Sequence, residues 1–94
     1  MYKVYILKSL KDYKTYTGYT DDVEKRLNQH NQGKVQATKN RRPFEILYLE
    51  NCPGLKEAKY REKYWKSGAG RRKLKKYFKE GFPPIKNDGR GSRL

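Results

Sequence analysis

The chain has 94 residues and a formal net charge of +14, with 24 Lys and Arg against 10 Asp and Glu. This length provides one domain with one small core. A single cysteine and a single histidine exclude an intrachain disulfide and a structural zinc site built by this chain alone. No apolar run approaches the roughly 18 residues of a membrane span, and no signal peptide opens the chain. We therefore expect a cytoplasmic protein with no membrane partner.

The positive charge predicts an anionic partner, because such an excess opposes compaction of the chain by self-repulsion. Nine tyrosines are interleaved with the cations and offer stacking surfaces beside phosphate-binding charge, although we expect about half of them in the core. Nucleic acid is the favoured partner. A ribosome-type structural protein and a solvated surface without a binding role are the alternatives. The predicted phosphate contacts are Lys34, Lys39, Arg41 and Arg42 in one loop, and Lys66, Arg71 and Arg72 in a second cluster.

The first two elements form a predicted β-hairpin. "YKVYIL" (2–7) carries β-branched and aromatic residues on both faces, which is typical of an internal strand. "TYTGY" (15–19) is the returning strand, so the two should pair antiparallel. If the turn centres near Lys11, Tyr5 and Tyr16 come almost opposite each other on one face of the sheet.

The next segment, "TDDVEKRLNQHNQG", predicts a helix over residues 21–32. Asp21 and Glu24 form a start similar to a capping box, and Gly33 stands where a glycine ends many helices. Arg26 and His30 are separated by one helical turn, so their side chains are neighbours. The apolar residues Val23 and Leu27 share a helix face with His30. The face turned toward the sheet therefore ends in polar groups.

A third strand, "FEILYLE" (44–50), and a second helix follow. The first strand is expected at the centre of the sheet, between the other two. Helical spacing places Leu55, Ala58 and Trp65 on one apolar stripe of this helix. Glu62 lies on the same stripe, at a position where an apolar residue such as Leu is expected. A buried unpaired charge is unfavourable, so Glu62 should be paired, bound to a metal or at the edge of a cleft. An intrahelical partner, Lys59 or Lys66, is the alternative to a functional role.

The end of the chain is basic and contains Pro and Gly. Residues 67–70 predict a turn, and "RRKLKKYF" (71–78) begins a short basic helix. Little order is expected beyond about residue 82. We therefore expect a single domain over residues 1–80 and a flexible basic tail over residues 81–94.

Phosphodiester hydrolysis is the chemistry that the polar residues of these elements could support. It requires charge stabilisation around phosphorus, an activated water and help for the leaving oxygen. The planar fork of arginine suits the phosphate oxygens, a carboxylate can hold a hard cation such as Mg²⁺, and histidine titrates near neutrality. A tyrosine would need its pKa lowered by nearby cations. The candidate set is Tyr5, Tyr16, Arg26, His30 and Glu62.

Several ordered motifs resemble the GIY-YIG endonuclease family. "VYI" at 4–6 and, nine residues later, "YTG" at 16–18 are similar to the paired motif that names the family. Arg26 and His30 fall on the following helix, where the family carries arginine and histidine. "EAKYRE" at 57–62 is similar to its E-A-x-x-x-E stretch, whose second acid binds the divalent metal. "WKSGAGRRKL" at 65–74 is similar to small stand-alone members related to the nuclease domain of the excinuclease C subunit.

The resemblance implies an α+β domain, β-β-α-β-α-α, with a three-stranded antiparallel sheet flanked by helices. It also implies Mg²⁺- or Mn²⁺-dependent cleavage of DNA, in repair or recombination. In these roles Tyr5 and Tyr16 surround the attacking water, Arg26 contacts the scissile phosphate and His30 lies beside the tyrosines. Glu62 is the implied metal ligand. The sequence has Tyr19 where some relatives have lysine, and this residue joins the predicted phosphate contacts.

Two functions follow from these features. The first is a metal-dependent endonuclease, and the second is a nucleic-acid-binding module with the same fold and little activity. The presence of the whole candidate set favours the first, since binding alone needs no isolated acid, here Glu62, facing a phosphate. Larger relatives carry separate DNA-targeting domains. We therefore expect this chain to cut with little sequence choice or to take its specificity from a protein partner.

Overall fold

A computed structural model describes residues 1–85 and confirms the predicted order of elements. The strands are paired antiparallel in the order β2-β1-β3. Strand β1 is therefore central, as its apolar character on both faces predicted. The elements are β1 (Tyr2–Ser9), β2 (Thr15–Thr20), α1 (Val23–Asn31), β3 (Phe44–Cys52), α2 (Leu55–Lys66) and α3 (Gly68–Glu80).

The register of the hairpin differs from the prediction by two residues. Tyr5 pairs with Gly18, and Tyr16 pairs with Leu7. The strands pair about a point between Lys11 and Asp12 rather than at Lys11, and in the connecting loop the Ser9 hydroxyl accepts hydrogen bonds from two backbone N–H groups. A shift of two residues keeps both tyrosines on the same face, since side chains alternate along a strand. Their ring centroids lie 6.5 Å apart.

Helix α1 is shorter than the predicted range of 21–32. Asp22, rather than Asp21, is the N-cap, because its carboxylate reaches the backbone N–H of Lys25 at 3.1 Å. The predicted glycine end is confirmed: Gly33 has a φ of 78°. The N–H groups of Gly33 and Lys34 bond back to carbonyls of the last turn in a Schellman pattern. This sharp end directs the following loop back toward His30.

The two faces of the sheet bury separate apolar clusters, so helices cover both sides as predicted. The face of Val4 and Ile6 packs against α2 and α3, where Ala58, Trp65 and Leu74 are buried. The opposite face packs against α1 through Tyr5, Leu7, Leu27 and Phe44. All five candidate residues except Glu62 belong to β1, β2 and α1. The layer between the sheet and α1 therefore holds most of the candidate site.

Two boundaries were predicted wrongly in the second half of the chain. Strand β3 continues to Cys52 instead of ending at residue 50. Leu55, predicted on the apolar stripe of α2, is 41% exposed because it begins that helix at the edge of the core. Residues 68–70 are helical: Ser67 ends α2, and its hydroxyl accepts the Gly70 N–H that begins α3. Phe82 packs on Tyr77, with ring centroids 5.5 Å apart. Of the tail predicted over residues 81–94, residues 86–94 lie outside the described residues.

None of the helices in residues 1–85 has the length and apolar content needed to cross a membrane.

Candidate functional site

A hydrogen-bonded group of three predicted site residues lies between the sheet and α1. The Tyr5 hydroxyl is 3.1 Å from Nε2 of His30 and receives a hydrogen bond from Nε of Arg26 at 3.4 Å. Strand β1 supplies Tyr5, and one turn of α1 supplies the other two, as their spacing predicted. His30 is 0% exposed and Tyr5 is 2% exposed. The structure therefore brings these three residues into one buried network.

The network holds a neutral histidine and an un-ionised tyrosine at neutral pH. Burial of the imidazole, followed by the positive charge of Arg26, lowers the pKa of His30 to about 4. Burial raises the pKa of Tyr5, although Arg26 acts in the opposite direction. The expectation that nearby cations lower a tyrosine's pKa therefore fails for Tyr5, because the loss of hydration outweighs the single adjacent guanidinium. Neutral His30 has one nitrogen free to accept a proton.

Tyr16 lies next to this network but contacts it through its ring rather than through a hydrogen bond. Its ring is half-buried and meets the His30 ring edge-on, with centroids 5.1 Å apart. Among residues 1–85, its hydroxyl has no hydrogen-bond partner. The two predicted tyrosines are thus close together yet distinct: the hydroxyl of Tyr5 is bonded within the protein, whereas that of Tyr16 is available to a water or a ligand.

Glu62 approaches the network from α2, which packs on β1 and β2. Burial is the main cause of the raised pKa of Tyr5, and the negative charge of Glu62 contributes to it. The carboxylate is 3.3 Å from the Lys66 ammonium one turn along the helix, so the intrahelical partner considered as an alternative is present. The Glu62 side chain is 23% exposed. This acid is therefore paired with Lys66, and its charge also acts on the Tyr5 hydroxyl.

A divalent cation would have to be held at this site by few protein ligands. Residues 1–85 contain no cluster of three or more His, Cys, Asp or Glu side chains suited to a metal. Mg²⁺ often uses only one or two carboxylates, with waters and phosphate oxygens completing its shell. A single partly exposed carboxylate such as Glu62 fits that pattern, provided that Lys66 turns away from it.

An open cleft of about 260 Å³ borders the network where β2 meets the start of α1. Arg26 lines this cleft, and its guanidinium is held on one side by a 3.0 Å hydrogen bond to the Gln29 amide oxygen. Tyr19 also lines the cleft, although its ring packs partly on the core. Two acids, Asp21 and Asp22, line the cleft as well, so it is an opening of mixed charge through which a phosphate could reach Arg26.

The basic residues predicted to contact phosphate separate into two groups. Arg41 is held within the fold, because its Nε lies 2.9 Å from the Asp12 carboxylate and its guanidinium also reaches the Thr15 carbonyl. Lys66 is paired with Glu62. The remaining five side chains belong to exposed residues: Lys34, Lys39, Arg42, Arg71 and Arg72. Arg41 is therefore better suited to joining the hairpin loop to the 34–42 loop than to binding phosphate.

Sequence reasoning missed two residues that shape the site. Thr38 is completely buried, and its hydroxyl lies 2.7 Å from Nδ1 of His30. Nothing in the sequence singles out this threonine within a polar loop. Gly18 lies under Tyr5, and a Cβ added there would be 2.5 Å from the Tyr5 hydroxyl. A glycine inside a strand pattern often marks such a close approach, so this signal was available.

Gly18→Ala is expected to displace the Tyr5 ring and to destabilise the protein by about 1–3 kcal/mol, as overpacking in a core usually does. Urea denaturation measures the loss. Gly54→Ala is the matched control, because its new methyl group meets the flexible end of Glu57 and nothing else within 4 Å. Wild-type stability of Gly18→Ala would show that Tyr5 is not confined as described.

Comparisons with known proteins agree with this architecture. A family model described as the GIY-YIG catalytic domain matches residues 1–82. The UPF0213 protein YazA of Bacillus subtilis is 40% identical over 77 residues, which are 81% of this chain and 76% of that protein. The UPF0213 protein SH2523 of Staphylococcus haemolyticus is 45% identical over 73 residues, covering 77% of this chain and 88% of that protein.

A solved structure shows the same fold. The solution NMR structure of the UPF0213 protein BH0048 from Bacillus halodurans superposes with a TM-score of 0.51 at 36% identity. The match covers 88% of this chain and 89% of that one. Together with the three-stranded sheet and the match over residues 1–82, this shows that the chain belongs to the GIY-YIG family.

Proposed function

We propose that this protein is an endonuclease that hydrolyses phosphodiester bonds of DNA with the help of Mg²⁺ or Mn²⁺. The observation that carries the proposal is the hydrogen-bonded group of Arg26, Tyr5 and His30 beside the Tyr16 hydroxyl, which has no hydrogen-bond partner among residues 1–85. Membership of the GIY-YIG family and a net charge of +14 support it. A fold kept only for binding DNA would have no need of a buried neutral histidine bonded to a tyrosine.

Arg26 is the residue that binds the scissile phosphate in this proposal. Its guanidinium lines the cleft, and two of its nitrogens are already bonded to Tyr5 and Gln29. Restraining the side chain before the substrate arrives reduces the entropy lost on binding. The planar guanidinium can then share its remaining N–H groups with phosphate oxygens and stabilise their charge in the transition state.

The tyrosines and His30 handle the attacking water. The Tyr16 hydroxyl orients the water, whose oxygen forms a bond to phosphorus while the ester bond to the leaving oxygen breaks. One water proton passes to the Tyr5 oxygen as Tyr5 gives its own proton to Nε2 of His30, and the leaving oxygen takes a proton from solvent. Nε2 of His30 lies 3.1 Å from the Tyr5 oxygen, and because His30 is neutral at neutral pH its free lone pair can take up this proton in the transition state.

Glu62 would hold the metal ion, which when bound supplies positive charge to the phosphate and lowers the barrier to attack. The Glu62 carboxylate must first leave Lys66, from which it is separated by 3.3 Å. A partly exposed ion pair between residues one helical turn apart stabilises by only about 0.3–0.5 kcal/mol, so separating Glu62 from Lys66 costs little free energy. Lys66 is then free to contact a neighbouring phosphate.

The ion pair between Glu62 and Lys66 is also the observation that favours a second function. If Lys66 keeps the carboxylate when DNA is bound, the protein is a nucleic-acid-binding module without cleavage. Incubation of the pure protein with supercoiled, branched and single-stranded DNA, in Mg²⁺, Mn²⁺ or chelator, separates the two. Cleavage that disappears with chelator is expected. Binding without cleavage in either metal would support the module, or an enzyme that requires a protein partner for specificity.

Replacing both Arg71 and Arg72 by Ala should weaken DNA binding mainly at low salt. Both residues are exposed on α3, and each phosphate contact contributes a slope of about −0.9 to the dependence of log affinity on log salt. Removing the pair should reduce the magnitude of that slope by roughly one to two units. Titrations of labelled duplex at several salt concentrations measure it.

Arg41→Ala provides the control for that experiment. Its guanidinium is occupied by Asp12 and Thr15, so its loss should lower stability and leave the salt slope unchanged. An affinity of the Arg71 and Arg72 variant equal to wild type at every salt concentration would remove α3 from the proposed DNA interface.

A further inference from the structure

A fourth polar residue, Thr38, completes the buried network. It lies in the loop between α1 and β3, and its backbone joins that loop through hydrogen bonds with Val35 and Arg41. Both Thr38 and His30 are 0% exposed, and the Thr38 hydroxyl lies 2.7 Å from Nδ1 of His30. A buried hydroxyl is unfavourable unless it is hydrogen-bonded. The contact with the imidazole therefore accounts for a threonine at this position.

The positions of the protons follow from the available partners. The Tyr5 hydroxyl has two partners among the described residues: Nε of Arg26, which can only donate, and Nε2 of His30. Because Tyr5 is 2% exposed, its proton needs an acceptor within the protein, and Nε2 is that acceptor. A neutral imidazole carries one proton, which must then be on Nδ1.

The Nδ1 proton in turn needs an acceptor, and the Thr38 oxygen is in place. The hydroxyl of Thr38 in turn donates a hydrogen bond to the Val35 carbonyl, 3.5 Å away. The result is a chain in which every proton points the same way, from the Arg26 guanidinium through Tyr5, His30 and Thr38 to the backbone. Hydrogen bonds aligned in this way strengthen one another.

We propose that Thr38 is a positioning residue that fixes His30 in the tautomer protonated on Nδ1 and so keeps Nε2 as the proton acceptor for Tyr5. The part of this inference that concerns catalysis rests on the proposed endonuclease activity, whereas the tautomer does not. If the proton were on Nε2 instead, His30 could only donate to Tyr5. Transfer of the Tyr5 proton to His30 would then be blocked.

The tautomer can be read directly, because the chain contains one histidine. In untagged ¹⁵N-labelled protein at pH 7, long-range ¹H–¹⁵N spectra should show a protonated Nδ1 and an unprotonated Nε2. Thr38→Val keeps the shape of the side chain but removes the acceptor, and should shift the tautomer ratio about tenfold or more toward Nε2–H, since an unpaired buried N–H is disfavoured. Thr38→Ser should keep the wild-type pattern.

Thr17→Val is the matched control. Thr17 is also buried, but it alternates with Tyr16 and Gly18 along β2 and so faces away from His30. In DNA cleavage assays, Thr38→Val should lower kcat about tenfold or more with little change in KM. Thr38→Ser and Thr17→Val should remain near wild type.

A wild-type spectrum with the proton on Nε2 would overturn the proposal, and so would a Thr38→Val variant that folds with an unchanged tautomer. The wild-type spectrum alone decides the assignment if Thr38→Val does not fold. The predicted tautomer in a protein that cleaves no DNA would support the positioning by Thr38 and refute the endonuclease instead.

Discussion

Glu62→Gln is expected to lower DNA cleavage by about a hundredfold or more, since a metal ion at a reacting phosphate contributes several kcal/mol to transition-state stabilisation. Glutamine has nearly the shape of glutamate but is a far weaker ligand for a hard cation. DNA affinity should be almost unchanged, because the exposed cations of the 34–42 loop and of α3 remain. Plasmid nicking and duplex titration, each in Mg²⁺ and Mn²⁺, measure the two effects.

The control separates this role from a structural one. The pair formed by Glu62 and Lys66 is partly exposed, so its loss should change the unfolding free energy by only about 0.3–0.5 kcal/mol. Glu57→Gln, an exposed acid on the same helix, should leave both cleavage and stability near wild type. A large drop in melting temperature for Glu62→Gln would mark a structural ion pair, and wild-type nicking would exclude a metal ligand at this position.

Arg26→Ala should reduce kcat by about a hundredfold to a thousandfold, the usual effect of removing one donor that stabilises a developing negative charge. Arg26→Lys should restore little of this, because an ammonium can neither share two phosphate oxygens in the planar geometry nor reproduce the bond from Nε to Tyr5. Single-turnover cleavage at saturating protein measures the chemical step apart from binding.

A second readout for Arg26 does not depend on cleavage. The charge of Arg26 contributes, after burial, to the lowered pKa of His30. Removing that charge should therefore raise the pKa of the histidine from about 4 toward its ordinary value, as followed by NMR titration of the single imidazole. Lys25→Ala removes an equal charge from the same helix and serves as the control. If both variants cleave DNA equally well, Arg26 acts only as general positive charge.

Much of the fold and part of the site could be predicted from the sequence because they depend on local periodicity. Apolar residues on both faces of residues 2–7 indicated a central strand, and this is confirmed. The spacing of Arg26 and His30 placed them one turn apart on a helix, which is also confirmed. Glu62 stood out as a carboxylate on an apolar stripe, and the structure pairs it with Lys66, while its role as a metal ligand stays a prediction.

Other features were decided by tertiary structure. The pairing of Tyr5 with Gly18 depends on the hairpin register, and the register depends on the folded loop, in which the Ser9 hydroxyl accepts hydrogen bonds from two backbone N–H groups. Arg41 is held within the fold because Asp12, distant in sequence, lies next to it in space. Residues 68–70 are helical because Ser67 caps α3 directly after ending α2. Composition and periodicity carry no information about contacts of this kind.

His30 shows most clearly which properties the sequence determines and which only the folded structure determines. The sequence alone determined that one histidine lies on a helix beside an arginine. Only the packing of α1 on the sheet buried that histidine, lowered its pKa and brought Tyr5 and Thr38 to its two nitrogens. The physical reason is that helical spacing is a property of neighbouring residues, whereas hydration and proton acceptors depend on chain segments that meet only when the protein folds.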